Sequence, residues 1–456
     1  MNILHYSIGI YPDRSGGLVR YSTDLALEHS RDHQVYYLIP GKLGIVDKRV
    51  RIVEDGREKS VTVFRIQNAL PVPIYSGIRN VDLYTRHVPK RIYADFLSRL
   101  QIDILFVHSF MGLHVELLQA AREKGIRVVM ITHDFFGICP VTTLFRNGKI
   151  CENTSIDVRC SGCSCHAHSY FALAVGQSRI YKRLKKTIGI AGLRNRTLLK
   201  DGSDEDALPK SEPSTACAGQ YRKLNDYYMS CYQNIDCFIF NSKQTREIFE
   251  KRLGKCDGMV IPLLHREITD RRRTRRFLQD GVLHVGFMGE STDFKGFEIV
   301  RTAIRDIHIE GCPIELDVYN DNVTEDELVK RKGKYSFDDL EKIYESLDII
   351  VVPSIWYETL SFVVIEAISA GMPCLVSEHV GARELIEDHR TGFIVRAGNI
   401  EDISSVLRDI ISKKISLEEI NRNILEQSFH FGFQEHCKAI LDAGNMMTSG
   451  EETGNE

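Results

Sequence analysis

The sequence predicts an α/β protein of two doubly wound domains, each built on a mostly parallel sheet. Three observations carry that prediction. With 456 residues the chain exceeds one ordinary domain, and two domains of roughly 200 residues are the natural division. It opens on a strand, a glycine loop, a helix and a second strand, the order of a mononucleotide-binding unit. Towards the other end, residues 347–395 alternate short β-branched runs with helical spacing, as strands buried on both faces do.

Composition narrows the class. Hydrophobic residues make up 43% and charged residues 27%, which fits a globular chain with a core. A net charge of −3 gives no general affinity for nucleic acid. No run approaches the ~18 apolar residues of a spanning helix. The start MNILHYSIGIYP reads as a strand, without the basic lead and apolar core of a signal peptide. Twelve cysteines without such a signal point to reduced thiols and a cytoplasmic protein.

In chain order, residues 2–6 read as a strand, 9–17 as the loop, 21–28 as a helix and 35–39 as the next strand. Gly16 and Gly17 let the backbone approach a ligand closely. The full Gly-x-Gly-x-x-Gly spacing is missing, which disfavours a dinucleotide. Residues 61–66, 104–108 and 128–132 read as further strands, separated by helical stretches around 88–100 and 113–124. The last strand runs into His133 and Asp134 at its carboxyl edge, where open α/β sheets bind ligands. A lone histidine is more often a hydrogen-bonded filler. The strand-end position favours a site.

Cys139, Cys151, Cys160, Cys163 and Cys165 fall within 27 residues, followed by His166 and His168. Cys160-x-x-Cys163 has the spacing of a zinc knuckle, and Cys139 and Cys151 would complete a tetrahedral set for a structural zinc, with Cys165 and His166 as alternative ligands and a spacing between the halves that is not a standard finger. Reduced buried cysteines or a redox pair are the competing reading. Residues 179–200 carry eight basic side chains and no acidic one, with Ile180, Leu184, Ile188 and Leu193 near helical spacing. Such a helix suits an anionic membrane surface, and a solvated basic helix fits as well. Residues 201–218 are polar and acidic, which predicts a flexible loop. A helix at 221–232, a strand at 237–240, a helix at 245–253 and a strand at 259–262 complete a first domain of residues 1–265. Residues 266–280 contain RRRTRR and read as a solvated hinge between domains.

The second domain, residues 281–428, opens with a strand at 282–287, then Met288-Gly289-Glu290-Ser291 and Phe294-Lys295-Gly296. A strand at 314–319 and a helix at 338–347 follow. Residues 349–352 form a β-branched strand stopped by Pro353, and 360–370 have helical spacing closed by Gly371. Strands at 374–377 and 393–395 flank a short helix at 383–388. Glu358 precedes the central helix and Glu366 lies within it, with seven residues between them. Backbone N–H groups at the helix start, around Leu360, Ser361 and Phe362, suit a phosphate. Residues 429–447 predict a terminal helix returning to the first domain, and 448–456 a disordered tail.

This segment resembles the Glu-x7-Glu signature of retaining glycosyltransferases of family 4, which have the GT-B fold of two Rossmann-like domains facing a cleft. The likeness takes in Asp348, Pro353, Ser354, the Glu366-Ala367 pair, Gly371-x-Pro373, Glu384 and Thr391-Gly392. Lys295-Gly296 is similar to an element in which an arginine and a lysine clamp the donor diphosphate. Glu290 stands where that arginine is usual, so Lys295 must do more, helped by helix N-termini at Ser291 and Ser361.

The resemblance implies hexosyl transfer, with retention, from a nucleotide-diphosphate sugar to a glycan or lipid-linked saccharide acceptor in surface polysaccharide or glycoconjugate assembly. Catalysis would fall to Glu358, His133 and Lys295, with His133 donating to a sugar hydroxyl. Gly16, Gly17, Glu290, Ser291, Leu360, Ser361, Phe362 and Glu366 would hold the donor. Asp134 would contact the acceptor or orient His133. No cofactor is implied for catalysis. Two other classes compete: a non-catalytic sugar-nucleotide-binding or regulatory subunit, motivated by Glu290, and another GT-B enzyme such as an epimerase or phosphorylase.

Overall fold

The computed structural model describes the chain except residues 45, 166, 178–214, 322 and 447–456. His166, the basic stretch 179–200, most of the polar stretch after it and the tail 448–456 therefore lie outside the described residues. Two separate sheets organise the rest.

The first sheet runs β10-β9-β6-β5-β1-β2-β4-β3. Its strands are β1 (Asn2–Tyr6), β2 (Gln34–Pro40), β3 (Arg51–Glu58), β4 (Val61–Gln67), β5 (Ile104–Val107), β6 (Arg127–Ile131), β9 (Cys237–Phe240) and β10 (Gly258–Val260). All neighbours pair in parallel except β3, which lies antiparallel at the edge. Sequence reading missed β3 because RIVEDGRE is mostly charged. An edge strand tolerates that, and its register shifts between Glu54 and Arg57 in the manner of a bulge. The central strands are apolar on both faces, since helices such as Gly17–His29 and Val115–Glu123 cover them. A small hairpin, β7 (Phe145–Arg146) with β8 (Lys149–Ile150), opens the cysteine-rich insertion.

The second sheet runs β13-β12-β11-β14-β15-β16 and is parallel throughout. Here β11 is Leu283–Met288, β12 Ile314–Tyr319, β13 Val329–Arg331, β14 Ile349–Val352, β15 Cys374–Ser377 and β16 Phe393–Val395. The order changes direction between β11 and β14, so the carboxyl ends of those two strands open onto a crevice. The short helix expected at 383–388 is a 3-10 turn, Gly381–Leu385, and the helix expected at 338–347 is Leu340–Glu345 behind a 3-10 turn. Two amphipathic helices that the sequence reading passed over, Ile400–Ile411 and Leu417–Glu426, are capped by Asn399 and Ser416.

The chain then crosses back. Helix Phe433–Met446 lies on the first sheet, where Cys237 Sγ is 3.8 Å from Ala443 O. A Cβ on Gly444 would stand 3.0 Å from Ile104 Cδ1, so glycine is what lets that helix approach.

The basic run is not a solvated hinge. Arg275 is buried and donates to Ala370 O at 2.9 Å, Tyr344 O at 3.2 Å and Glu341 at 3.3 Å. Arg272 donates to Ile424 O at 2.9 Å and Gln427 O at 2.5 Å. Three helices of the second domain thus end on guanidinium groups, which satisfy their last carbonyls and oppose the negative end of each helix dipole. Charge counts alone miss this because a run of arginines looks solvated until the carbonyls it meets are known.

Candidate active site

Glu358 sits in the loop after β14. Its backbone N–H donates to His379 O at 3.0 Å and its carbonyl accepts from Gly381 N at 2.8 Å, an isolated bridge that fixes the residue outside any helix. The carboxylate accepts from Lys295 Nζ at 2.8 Å through one oxygen and from Ser354 Oγ at 2.7 Å through the other. Burial pushes this carboxyl up, but the charge of Lys295 and hydrogen bonds from Lys295, Ser354 and Ser361 outweigh it, leaving the group below its ordinary range. Lys295 also lies 5.3 Å from the ring centre of Trp356. The pair expected from sequence to share the chemistry therefore meets directly.

Lys295 is positioned by a 3-10 turn, Asp293–Lys295, closed by Gly296 in the left-handed region at φ 76°. A Cβ there would stand 2.2 Å from Pro353 O, so only glycine lets this turn pack on the strand end that carries the Glu358 loop. The next helix starts at Phe297, which corrects the expected helix N-terminus at Ser291: Ser291 and Glu290 lie in the loop before the turn. Glu290 is exposed.

Helix Phe362–Ser369 begins two residues later than expected, after Ser361 at φ 94°. Its first turn has N–H groups without intrahelical partners, beside Glu358. Leu360 is buried behind it, its carbonyl bonded to Ala382 N at 2.8 Å. Glu366, one turn along, accepts from His265 Nε2 at 2.9 Å. Both line a cavity of about 240 Å³ walled by Tyr335, Phe337, Phe362 and Gly17. Gly17 brings the first domain's loop against the second: a Cβ on it would stand 3.3 Å from the Phe362 ring. Gly16 adopts φ 126° with open space above it.

Across the crevice, His133 and Asp134 follow β6. Thr359 Oγ1 donates to His133 O at 3.0 Å, and Ser242 Oγ donates to Thr359 O at 2.8 Å. The Glu384 carboxylate accepts from Lys243 N and Gln244 N, both at 2.9 Å, at the start of helix Lys243–Leu253. These bonds join the two domains immediately beside Glu358. Burial pushes the His133 imidazole down to about 3 and the Asp134 carboxyl up to about 6, although Phe136 N and Ser109 bond the carboxylate. His133 is thus neutral near pH 7. Its Nε2 stands 3.1 Å from His108 Nδ1.

Sequence reading missed Tyr75, Trp356 and His265. Tyr75 and Trp356 pack edge to face at 6.3 Å across the seam. Trp356 is the chain's one tryptophan and lies two residues before Glu358, a signal within reach. Tyr75 carries no such sign.

The cysteines gather elsewhere. Cys139, Cys151, Cys160 and Cys163 line one cavity of about 310 Å³ next to β7 and β8. Burial pushes the Cys139 thiol up to about 12 and the Cys160 thiol up to about 11. Among the described residues no three histidine, cysteine or acidic side chains are grouped so as to hold a metal ion.

Comparison with known proteins bears on this arrangement. Residues 326–427 match the family described as Glycosyl transferases group 1. The match lies within the second domain. The matched residues include both Glu358 and Glu366, while Lys295 lies upstream of them. Sulfoquinovosyl transferase SQD2 of Arabidopsis thaliana is 32% identical over 99 residues, which span 21% of this chain and 19% of that protein's own length. The fold as a whole is GT-B. A sucrose-phosphate synthase from Thermosynechococcus elongatus superposes with TM-score 0.53 at 12% identity, covering 98% of this chain and 97% of its own. Anabaena HepE, solved with UDP and glucose, gives 0.55 at 14% identity, covering 98% and 99%. Among the described residues no helix is long and apolar enough to cross a membrane.

Proposed function

We propose that the chain is a retaining glycosyltransferase of family 4 that moves a hexosyl group from a nucleotide-diphosphate sugar to a hydroxyl of a glycan or lipid-linked acceptor, in surface polysaccharide or glycoconjugate assembly. One observation carries the reading: the Lys295–Glu358 pair stands 2.8 Å apart beside a helix N-terminus, one turn from a cavity that holds Glu366. The glycosyl transferases group 1 match and the nucleotide sugars bound by GT-B neighbours support it.

In this mechanism the diphosphate lies on the N–H groups around Ser361 and Phe362 and on Lys295, which take up charge as the glycosidic bond breaks. Glu366 accepts the ribose hydroxyls between the aromatic walls. Glu358 binds sugar hydroxyls and steadies the oxocarbenium-like centre. The leaving phosphate takes the acceptor's proton in a same-face attack, with no two-step displacement of the kind retaining glycosidases use. Gly16 and Gly17 close over the donor, and Glu290 and Ser291 line its phosphate end. The hydrogen bonds across the seam hold the domains closed against hydrolysis of the donor. Asp134, half-protonated near pH 6, faces the acceptor side. Contact with an anionic membrane belongs to the same proposal and rests only on the composition of residues 179–200.

A thermal-shift screen of nucleotide diphosphates and their sugars, followed by product analysis, tests the reading. Stabilisation by one sugar nucleotide and a product of retained configuration are expected; inversion or no transfer sinks it. Glu366→Gln is expected to weaken donor binding ~10-fold, about the worth of one charge-assisted hydrogen bond, with kcat little changed. Unchanged affinity removes the ribose assignment.

A structural zinc in the four-cysteine cavity is a separate, non-catalytic proposal. Zinc would displace the thiol protons and draw the loop inward, so its affinity should rise with pH. Near one zinc per chain in purified protein is expected, and a folded, metal-free sample rules it out.

A further inference from the structure

Four imidazoles, His5, His29 and His108 buried and His133 half-buried, form a continuous row beneath the cleft. They belong to neighbouring elements: His133 follows β6, His108 follows β5, His5 lies in β1, and His29 ends helix Gly17–His29. Each ring meets the next through one nitrogen. His133 Nε2 is 3.1 Å from His108 Nδ1, His108 Nε2 is 3.2 Å from His5 Nδ1, and His5 Nε2 is 3.2 Å from His29 Nδ1. The row ends where His29 Nε2 stands 3.2 Å from Cys437 O, in the terminal helix that crosses back from the second domain.

That carbonyl has only lone pairs, so His29 Nε2 must carry a hydrogen. A neutral imidazole has one N–H, which leaves His29 Nδ1 as an acceptor and obliges His5 Nε2 to donate. The same step repeats. His5 Nδ1 accepts from His108 Nε2, and His108 Nδ1 accepts from His133 Nε2. His133 Nδ1 is left with a lone pair, and it makes no hydrogen bond among the described residues.

We infer that this relay fixes His133 as its Nε2–H tautomer, so that Nδ1 meets the cleft as an acceptor and receives a donor such as a sugar hydroxyl, never a phosphate oxygen. His5, His29 and His108 are positioning residues. This reverses the polarity expected from sequence, in which His133 donates. Running the relay the other way would need His29 doubly protonated, because its Nε2–H is held by the carbonyl whatever its neighbours do. Burial opposes that: it pushes His29 down to about 4 and holds His5 and His108 well below the ordinary imidazole range. Phe106, stacked on His5 at 5.1 Å, and Tyr21, 5.3 Å from His133, supply the apolar walls.

The hydroxyl in this inference rests on the proposed glycosyl transfer; the tautomer does not. Long-range ¹H–¹⁵N spectra of the full chain labelled at histidine test it, with the His133 signals assigned by their loss in His133→Phe. A single Nε2–H form at His133 is expected near pH 7, and an Nδ1–H form overturns the relay. His29→Phe removes the ring anchored on the carbonyl, and a mixture of both tautomers should then appear at His133. A natively folded His29→Phe that keeps one tautomer overturns the claim that the relay sets it. Should that variant fail to fold, the unaltered protein's spectrum still decides the tautomer. A chain with the assigned tautomer that transfers no sugar overturns the proposed function and supports this inference.

Discussion

Glu358→Gln is expected to lower kcat about 10³-fold, the scale set by removing a preorganised electrostatic group from a closed site. The backbone bridge to Val380 does not involve the side chain, so the loop should stay in place. Glutamine keeps the Ser354 contact and loses the charge that faces Lys295. Lys295 is then free to bind the diphosphate, and KM for the donor should hold or fall while kcat collapses, the signature of an interaction made in the transition state. Lys295→Met should cost a similar factor and leave a second mark. Without the lysine, only the hydrogen bonds from Ser354 and Ser361 oppose the burial of Glu358, and its carboxyl rises. The acid limb of the residual pH–rate profile should therefore move to higher pH. Full activity in either variant, measured by product formation over a pH series, removes the pair from the mechanism.

Arg275→Ala is expected to destabilise the second domain by about 3 kcal/mol, the cost of deleting one partner from a buried charged network. The carbonyls of Ala370 and Tyr344 lose their donor, Glu341 loses one of its two arginines, and a cavity opens. Arg275→Met fills most of that space and should recover the packing part alone. Denaturant unfolding followed through Trp356, which lies in the second domain, reads both variants. A midpoint that does not move would mean that the run is the solvated hinge its composition suggests.

The two halves of the chain were not equally legible. Strands β14 and β15 are readable to the residue because a parallel strand covered on both faces needs an unbroken apolar run between turn residues. Edge strands obey no such demand, and β3 and β13 escaped. Glu358, Lys295 and Glu366 were found because their neighbours in sequence, Ser354, Gly296 and Ala367, carry the pattern of a known family. Tyr75, His265 and the imidazoles behind His133 have no sequence neighbour that marks them. His5 and His108 are 103 residues apart and touch only because β1 pairs with β5.

By itself the sequence determined the two parallel sheets, the glycine loop and the order of acid, helix and acid, since these follow from periodicity and turn chemistry over a few residues. The tertiary structure alone decided what each charged or titratable group meets: helix ends for the arginines, a lysine for Glu358, a buried carbonyl at the far end of four histidines. A side chain's protonation and donor polarity depend on the dielectric and the partner around it, and both are supplied by segments distant in the chain.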